Sequence, residues 1–126
     1  MYSRSVALAL ALALAPTLAH AQSLPALFHD ANEAASLGNH RVAAVGYEQL
    51  LELGVDDADV FYDLGLAYAH LGQHGRAVAA FERAIRVRPG DAGALAGLEA
   101  SRAVLGRRRA ERAGEAVVDA GTTVGE

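Results

Sequence analysis

The sequence predicts an all-α protein: a short α-solenoid of about two and a half helix-turn-helix repeats, closed by a capping helix. Three observations lead there. The 126-residue chain repeats with a period of 34, aligning Leu37-Gly38-Asn39-His40 with Leu71-Gly72-Gln73-His74 and Tyr47-Glu48 with Phe81-Glu82, without a gap. Ala43 falls on Ala77 and Leu51 on Ile85 in the same register, and a glycine sits near the middle of each unit, where two antiparallel helices need a turn. Cysteine and tryptophan are absent and 52% of the residues are hydrophobic, so burial rather than disulfides or zinc must hold the fold.

Residues 1–21 read as a secretory signal peptide. Arg4 supplies a positive start, Val6 to Ala15 is an unbroken run of Val, Ala and Leu, and Pro16 breaks it. Ala19-His20-Ala21 then gives the small-x-small pattern cut by a signal peptidase. A membrane anchor is the competing reading, but a span needs about 20 apolar residues and this run is half as long. Without cysteine there is no lipobox, and no later stretch is apolar enough to span. The expectation is a periplasmic product of 105 residues, with 10 Arg against 15 acids and no transmembrane span after signal removal.

Residues 58–91 form the clearest unit, carrying Phe61, Leu64, Gly65, Tyr68, Ala77, Phe81, Ala84 and Pro89 at fixed spacing. That set resembles the tetratricopeptide repeat, all eight of whose signature positions are acceptably filled. The chemistry of each position agrees. Gly65 and Ala77 are small enough for paired helices to approach, and Leu64, Tyr68 and Phe81 supply apolar bulk worth about 1.5–3 kcal/mol for each fully buried large side chain. Ala84 leaves room for the next unit, and Pro89 forces a stop. Asp57 and Asp91 are placed to cap the helices that follow them.

Residues 22–57 read as a degenerate repeat. Leu27, Ala31, Ala43 and Tyr47 fit, whereas Asp30, Ala34, Leu50 and Val55 depart from the pattern. Residues 92–112 read as a capping helix that buries Leu95, Leu98, Ala103 and Leu105, and residues 113–126 as a disordered tail. Solenoid units usually need about three copies for stability, so the fold is expected to be only marginally stable or to be completed by a partner or a second copy.

Catalysis finds little support. No nucleophile elbow, P-loop or dinucleotide fingerprint occurs, and Asp56-Asp57-Ala58-Asp59 lies where turns and caps favour Asp anyway. His70 and His74 stand four apart, but Gly72 between them assigns the rings to different helices. A histidine-based metal or cofactor carrier is therefore the weakest alternative, and no cofactor is expected. The formal net charge of −4 argues against nucleic acid. Charge is also polarised: residues 22–63 hold Arg41 against eight acids, a net −7, and residues 64–112 hold nine Arg against four acids, a net +5. Such a split either solvates helix faces or favours head-to-tail pairing of copies.

The family resemblance implies a concave groove lined by the first helix of each pair. Here it would present Phe28, Asn32 and Ser36, then Asp59, Tyr62, Leu66, Ala69 and His70. Capture of a chaperone C-terminal carboxylate is disfavoured, because Phe28 replaces the lysine that mode uses and Asp63 would repel the ligand. Over residues 27–105 the chain also resembles tetratricopeptide proteins of bacterial aerotolerance (Bat) operons, through Tyr47 to Gly54, Val60 to Gly65, Gly75-Arg76-Ala77, Phe81 to Ala84 and Pro89-Gly90-Asp91. Many of those continue into membrane helices and an SH3-like domain, for which nothing here corresponds. The expected function is an exported interaction module, a scaffold or adaptor in a bacterial cell-envelope assembly, binding another protein or peptide. The alternative is a self-assembling structural solenoid.

Overall fold

The structure is a computed structural model and describes residues 22–122, so the 1–21 segment read as an export signal lies outside the described residues. Five helices follow one another: α1 (Leu24–Ser36), α2 (His40–Glu52), α3 (Ala58–His70), α4 (His74–Val87) and α5 (Ala92–Thr122). They form two helical hairpins and a final unpaired helix, the small solenoid that the 34-residue period implies. Helix α3 is the hub, packed against α2, α4 and α5, while α1 rests on α2 and α4 on α5.

Local signals fix the helix ends. The Ser23 hydroxyl accepts from the Ala26 amide, and the Asp57 carboxylate accepts from the amides of Asp59 and Val60. Asp91 does the same for Ala94, as its position predicts. A side-chain cap of this kind contributes about 1 kcal/mol. Three helices stop in one way: Gly38, Gly54 and Gly72 take φ values of 77°, 88° and 73°. In each case the glycine amide and the next one turn back to carbonyls of the last helical turn, as in Gly72 to Ala69 and Gln73 to Tyr68. A left-handed residue is needed there, and glycine adopts it without a Cβ clash.

The core runs through all five helices, with Tyr47, Phe81 and Leu50 the largest fully buried apolar side chains. Leu50, one of the departures from the repeat pattern, is 1% exposed and stands where Ala84 lies in the second unit. Phe81 is fully buried and its ring lies against two glycines. A Cβ on Gly65 of α3 would lie 2.7 Å from its ring, and a Cβ on Gly97 of α5 only 2.5 Å. In the first hairpin the glycine has moved to the opposite helix: a Cβ on Gly46 of α2 would approach the Cβ of Ala31 of α1 to 2.8 Å. Ala31 is the repeat equivalent of Gly65, and Gly46 of Ala80.

The last helix differs from expectation in two respects. Its buried seam is Ala94, Leu98 and Ser101, while Leu95 and Leu105 are 46% and 37% exposed. The seam is offset because small residues, Gly97 among them, are needed to admit Phe81. The helix also continues past Arg112 to Thr122, across a segment expected to be disordered. Gly106 stands where Gly72 turns the preceding unit, yet the chain does not fold back. Glu111 and Glu115 occupy the places of Ala77 and Phe81, so a returning helix would bury two carboxylates. Ala, Arg and Glu are strong helix formers, and the chain stays helical instead. Residues 123–126 of that segment lie outside the described residues.

Gly97→Ala is expected to destabilise the protein by about 1–3 kcal/mol through overpacking of Phe81. Gly106→Ala on the same helix, where a Cβ meets nothing within 4 Å, should instead stabilise by up to about 1 kcal/mol. Urea unfolding of the two variants separates the clash from helix propensity.

Candidate functional site

Helices α1 and α3 present the side chains expected to line the groove, and the structure shows how each is engaged. Phe28 is half-buried, its ring tilted against Tyr47 at 6.3 Å between centroids. Asn32 accepts a 2.7 Å hydrogen bond from the Tyr47 hydroxyl, and Ser36 donates to the Glu33 carbonyl in its own helix. Tyr62 is half-buried against Phe81, with centroids 6.0 Å apart, and lies over Gly93, where a Cβ would come within 3.1 Å. Asp59 is exposed and pairs with Arg88 at 2.7 Å, which holds its carboxyl below the usual range. Ala69 is half-buried on the same helix.

Leu66 and His70 come together in a cleft with His40, Tyr47 and Asp63. The His40 and His70 rings stack in parallel, 4.2 Å apart, joining the start of α2 to the end of α3. His74 opens α4, separate from His70 as Gly72 implied, and its Nδ1 is buried without a partner. His40, Tyr47 and Asp63 were not in the expected groove set. Asp63 lies one turn before Leu66 and two turns before His70 on the same helix, so helical spacing alone could have added it.

Burial pushes the Asp63 carboxyl up to about 6, with further upward pressure from Asp59 and Asp57. Asp63 is the repeat equivalent of Gly97, so the first unit sets a carboxyl beside Tyr47 where the second sets a glycine beside Phe81. Tyr47 in turn is raised to about 12, first by burial and then by Asp63. This cleft thus combines apolar and aromatic surface with a half-buried acid.

A second cluster ties the two hairpins together on the opposite side. The Tyr68 hydroxyl of α3 donates to Glu48 of α2, and Arg76 of α4 donates to the same Glu48 oxygen at 3.0 Å. The Arg76 guanidinium lies 4.3 Å from the centre of the Tyr68 ring. Burial, then Glu48, lifts the Tyr68 hydroxyl to about 12. Beside this cluster runs an open furrow of about 430 Å³, lined by Phe61 and Leu64 of α3, Ala80 of α4 and Glu48, Leu51 and Glu52 of α2. A shallower furrow at the amino-terminal end, between α1 and α2, is lined by Leu27, Asp30, Val42, Val45, Gly46 and Gln49.

Among the described residues no three His, Asp or Glu side chains converge in a way that would hold a metal, and no helix is long and apolar enough to cross a membrane.

Residues 58–91 match the family model of the tetratricopeptide repeat. Among solved structures, the crystal structure of MamA superposes with a TM-score of 0.63 at 25% identity, over 69% of this chain and 51% of that one. The chain therefore spans about half the length of that protein. No curated protein matches in sequence. These likenesses support a tetratricopeptide-type fold and carry no specific link to Bat-operon proteins. Repeats of the type matched by residues 58–91 are generically interaction modules rather than catalysts.

The groove acid sets a pH dependence. The folded chain holds the Asp63 proton more tightly than the unfolded chain does, so this group lowers stability as pH climbs from about 4 to about 6. Asp63→Asn is expected to flatten thermal stability over that window and to raise it at pH 7 by about 1 kcal/mol, reduced from the bare shift because the group is only half buried.

Proposed function

We propose that this protein is an assembly module, a short solenoid whose principal partner is another copy of itself. The observation that carries the reading is its electrostatic polarity along the stacking axis. The stretch holding α1 and α2, residues 22–57, carries one Arg against six acids, a net −5, and the stretch holding α4 and α5, residues 74–122, carries nine Arg against six acids, a net +3. Solenoid units bury their faces only against neighbours, and both ends of this stack are open among the described residues. Opposite charge at opposite ends orients copies head to tail, an arrangement that propagates rather than closing on itself.

The reading of residues 1–21 as an export signal supports a periplasmic setting for that assembly. A second reading, an adaptor for another envelope protein as the Bat-type resemblance suggests, is favoured by one feature. Asp63 is a half-buried acid beside Leu66 and His70 with no Arg ion pair among the described residues, so the groove suits a peptide carrying Arg or Lys beside apolar residues.

Sedimentation velocity tests the first reading. Average mass should rise with protein concentration at low salt and fall as salt screens the opposed charges. A monomer at every concentration would remove self-assembly and leave the groove reading, which photo-crosslinking at Leu66 in intact cells then addresses. Crosslinking to a single envelope protein supports the adaptor role, and an absence of adducts counts against it.

A further inference from the structure

The repeat does not require an acid at position 63. One period away in either direction its place is held by His29 and Gly97, and the place of His70 by Ser36 and Val104. The cleft that Asp63 and His70 share with His40 is therefore peculiar to the central unit. A half-buried carboxyl with no ion pair among the described residues also lowers stability at neutral pH. A group that costs stability where the repeat accepts glycine marks a candidate binding site.

The walls of the cleft restrict the ligand. Ala35 of α1 with Leu66 and Ala67 of α3 form its apolar part, and Tyr47 and the stacked imidazoles its aromatic part. The Tyr47 hydroxyl is already engaged with Asn32, which leaves the Asp63 carboxyl as the acid that faces a ligand. At about 160 Å³ the cleft is smaller than the roughly 300–1,000 Å³ of a drug-sized pocket, and it admits one long side chain. A metal ion is a poor fit. The His40 and His70 rings lie 4.2 Å apart and within 6° of parallel, so their in-plane lone pairs do not converge on one ion. A guanidinium is flat, stacks on aromatic faces and matches a carboxylate with its N–H fork. A lysine ammonium shares only the charge, and its stronger hydration disfavours a half-buried site.

Building on the adaptor reading of the groove, we infer that this cleft is a pocket for a single arginine side chain of the partner segment. The guanidinium takes the Asp63 carboxylate as a forked pair and lies against the His70 ring, with the aliphatic stem along Leu66 and Ala35.

The pocket is sensitive to acid. The Asp63 carboxyl, pushed up to about 6 by burial and then by Asp59 and Asp57, loses its charge where a surface carboxyl keeps it. His40 and Tyr47 of α2 and His70 of α3 share the cleft with it, and any positive charge on those imidazoles opposes the arginine as well. Helix α1 lends only Ala35, and no charged side chain of α4 or α5 lines the cleft.

The test uses isotope-labelled protein purified from cells expressing the full chain, followed by NMR. The probes are n-propylguanidinium, n-butylammonium and n-butanol, which carry a guanidinium, an ammonium and a neutral head. At pH 7, n-propylguanidinium should shift the amides of His40, Asp63, Leu66 and His70 saturably, and butanol should not. It should bind about threefold or more tightly than n-butylammonium. Asp63→Asn, which is expected to fold at least as well as the parent chain, should weaken it by about tenfold. His70→Leu should abolish the preference for guanidinium and keep the response to ammonium. Lowering the pH from 7 to 5 should weaken n-propylguanidinium by about tenfold, against almost no change for an ordinary carboxyl. Scattered or unsaturable shifts, equal affinity for the two cations, or binding indifferent to Asp63→Asn or to pH each overturn the proposal.

Photo-crosslinking at Leu66 in intact cells separates the pocket from the reading beneath it. An adduct lost in Asp63→Asn supports the pocket. An adduct that survives the substitution overturns the pocket and leaves the adaptor reading standing. Saturable n-propylguanidinium binding without any cellular adduct supports the arginine site and removes the adaptor reading.

Discussion

The fold depends on where the Phe81 ring can lie. It is fully buried at the junction of α3, α4 and α5, and the ring meets both α3 and α5 at a glycine. A ring in that position removes a large apolar area from water, and it also sets how close three helices come. The two glycines are costly in a helix interior, by roughly 1 kcal/mol each relative to alanine. Their retention is explained by the close approach they allow. The offset seam of α5 follows directly, because the helix must turn Gly97 toward Phe81 and thereby turns Leu95 outward.

Coupling between the two hairpins is of a different kind. Apolar contact between α2 and α3 is supplemented by Glu48, which receives hydrogen bonds from Tyr68 and Arg76 on two successive helices. The carboxylate sits at the edge of the contact, where Arg76 is well exposed, so the ion pair itself adds little. Its value lies in geometry: one acceptor fixes the register of a hairpin against its neighbour. Arg88 acts likewise at the far turn, joining Asp59 to Asp91. Polar groups in this molecule set alignment, and the aromatic and aliphatic side chains supply the cohesion.

The repeat architecture was legible because its constraints are local and periodic. Gly38 and Gly72 mark left-handed turns that other residues rarely accept, and Asp57 and Asp91 mark caps; each needs only its own neighbours. The helical course beyond Arg112 was missed for a related reason. The small, polar composition suggested disorder, whereas the loss of an apolar face only removes the reason to fold back and leaves helix propensity intact. The groove was less legible still. The family resemblance led to the expectation that Tyr62 lines a groove, but whether a half-buried ring is available depends on Gly93 and Phe81, far away in sequence. The stacking of His40 on His70 likewise arises between units, at a separation that no short window contains.

The exchange of glycine between the two hairpins has a bearing on how the chain finds its partners while folding. Repeated units with a common period invite mistaken pairings, in which the first helix of one joins the second helix of the other. Here those crossed pairs are unequal to the correct ones. Were α1 to pair with α4, the methyl of Ala31 would enter the space that Gly65 leaves open for Phe81. Were α3 to pair with α2, Gly65 would face Gly46 and leave a void. One combination is overfilled and the other underfilled, so a single methyl group, carried on opposite helices of the two units, acts as a key that distinguishes right from wrong assembly within one chain.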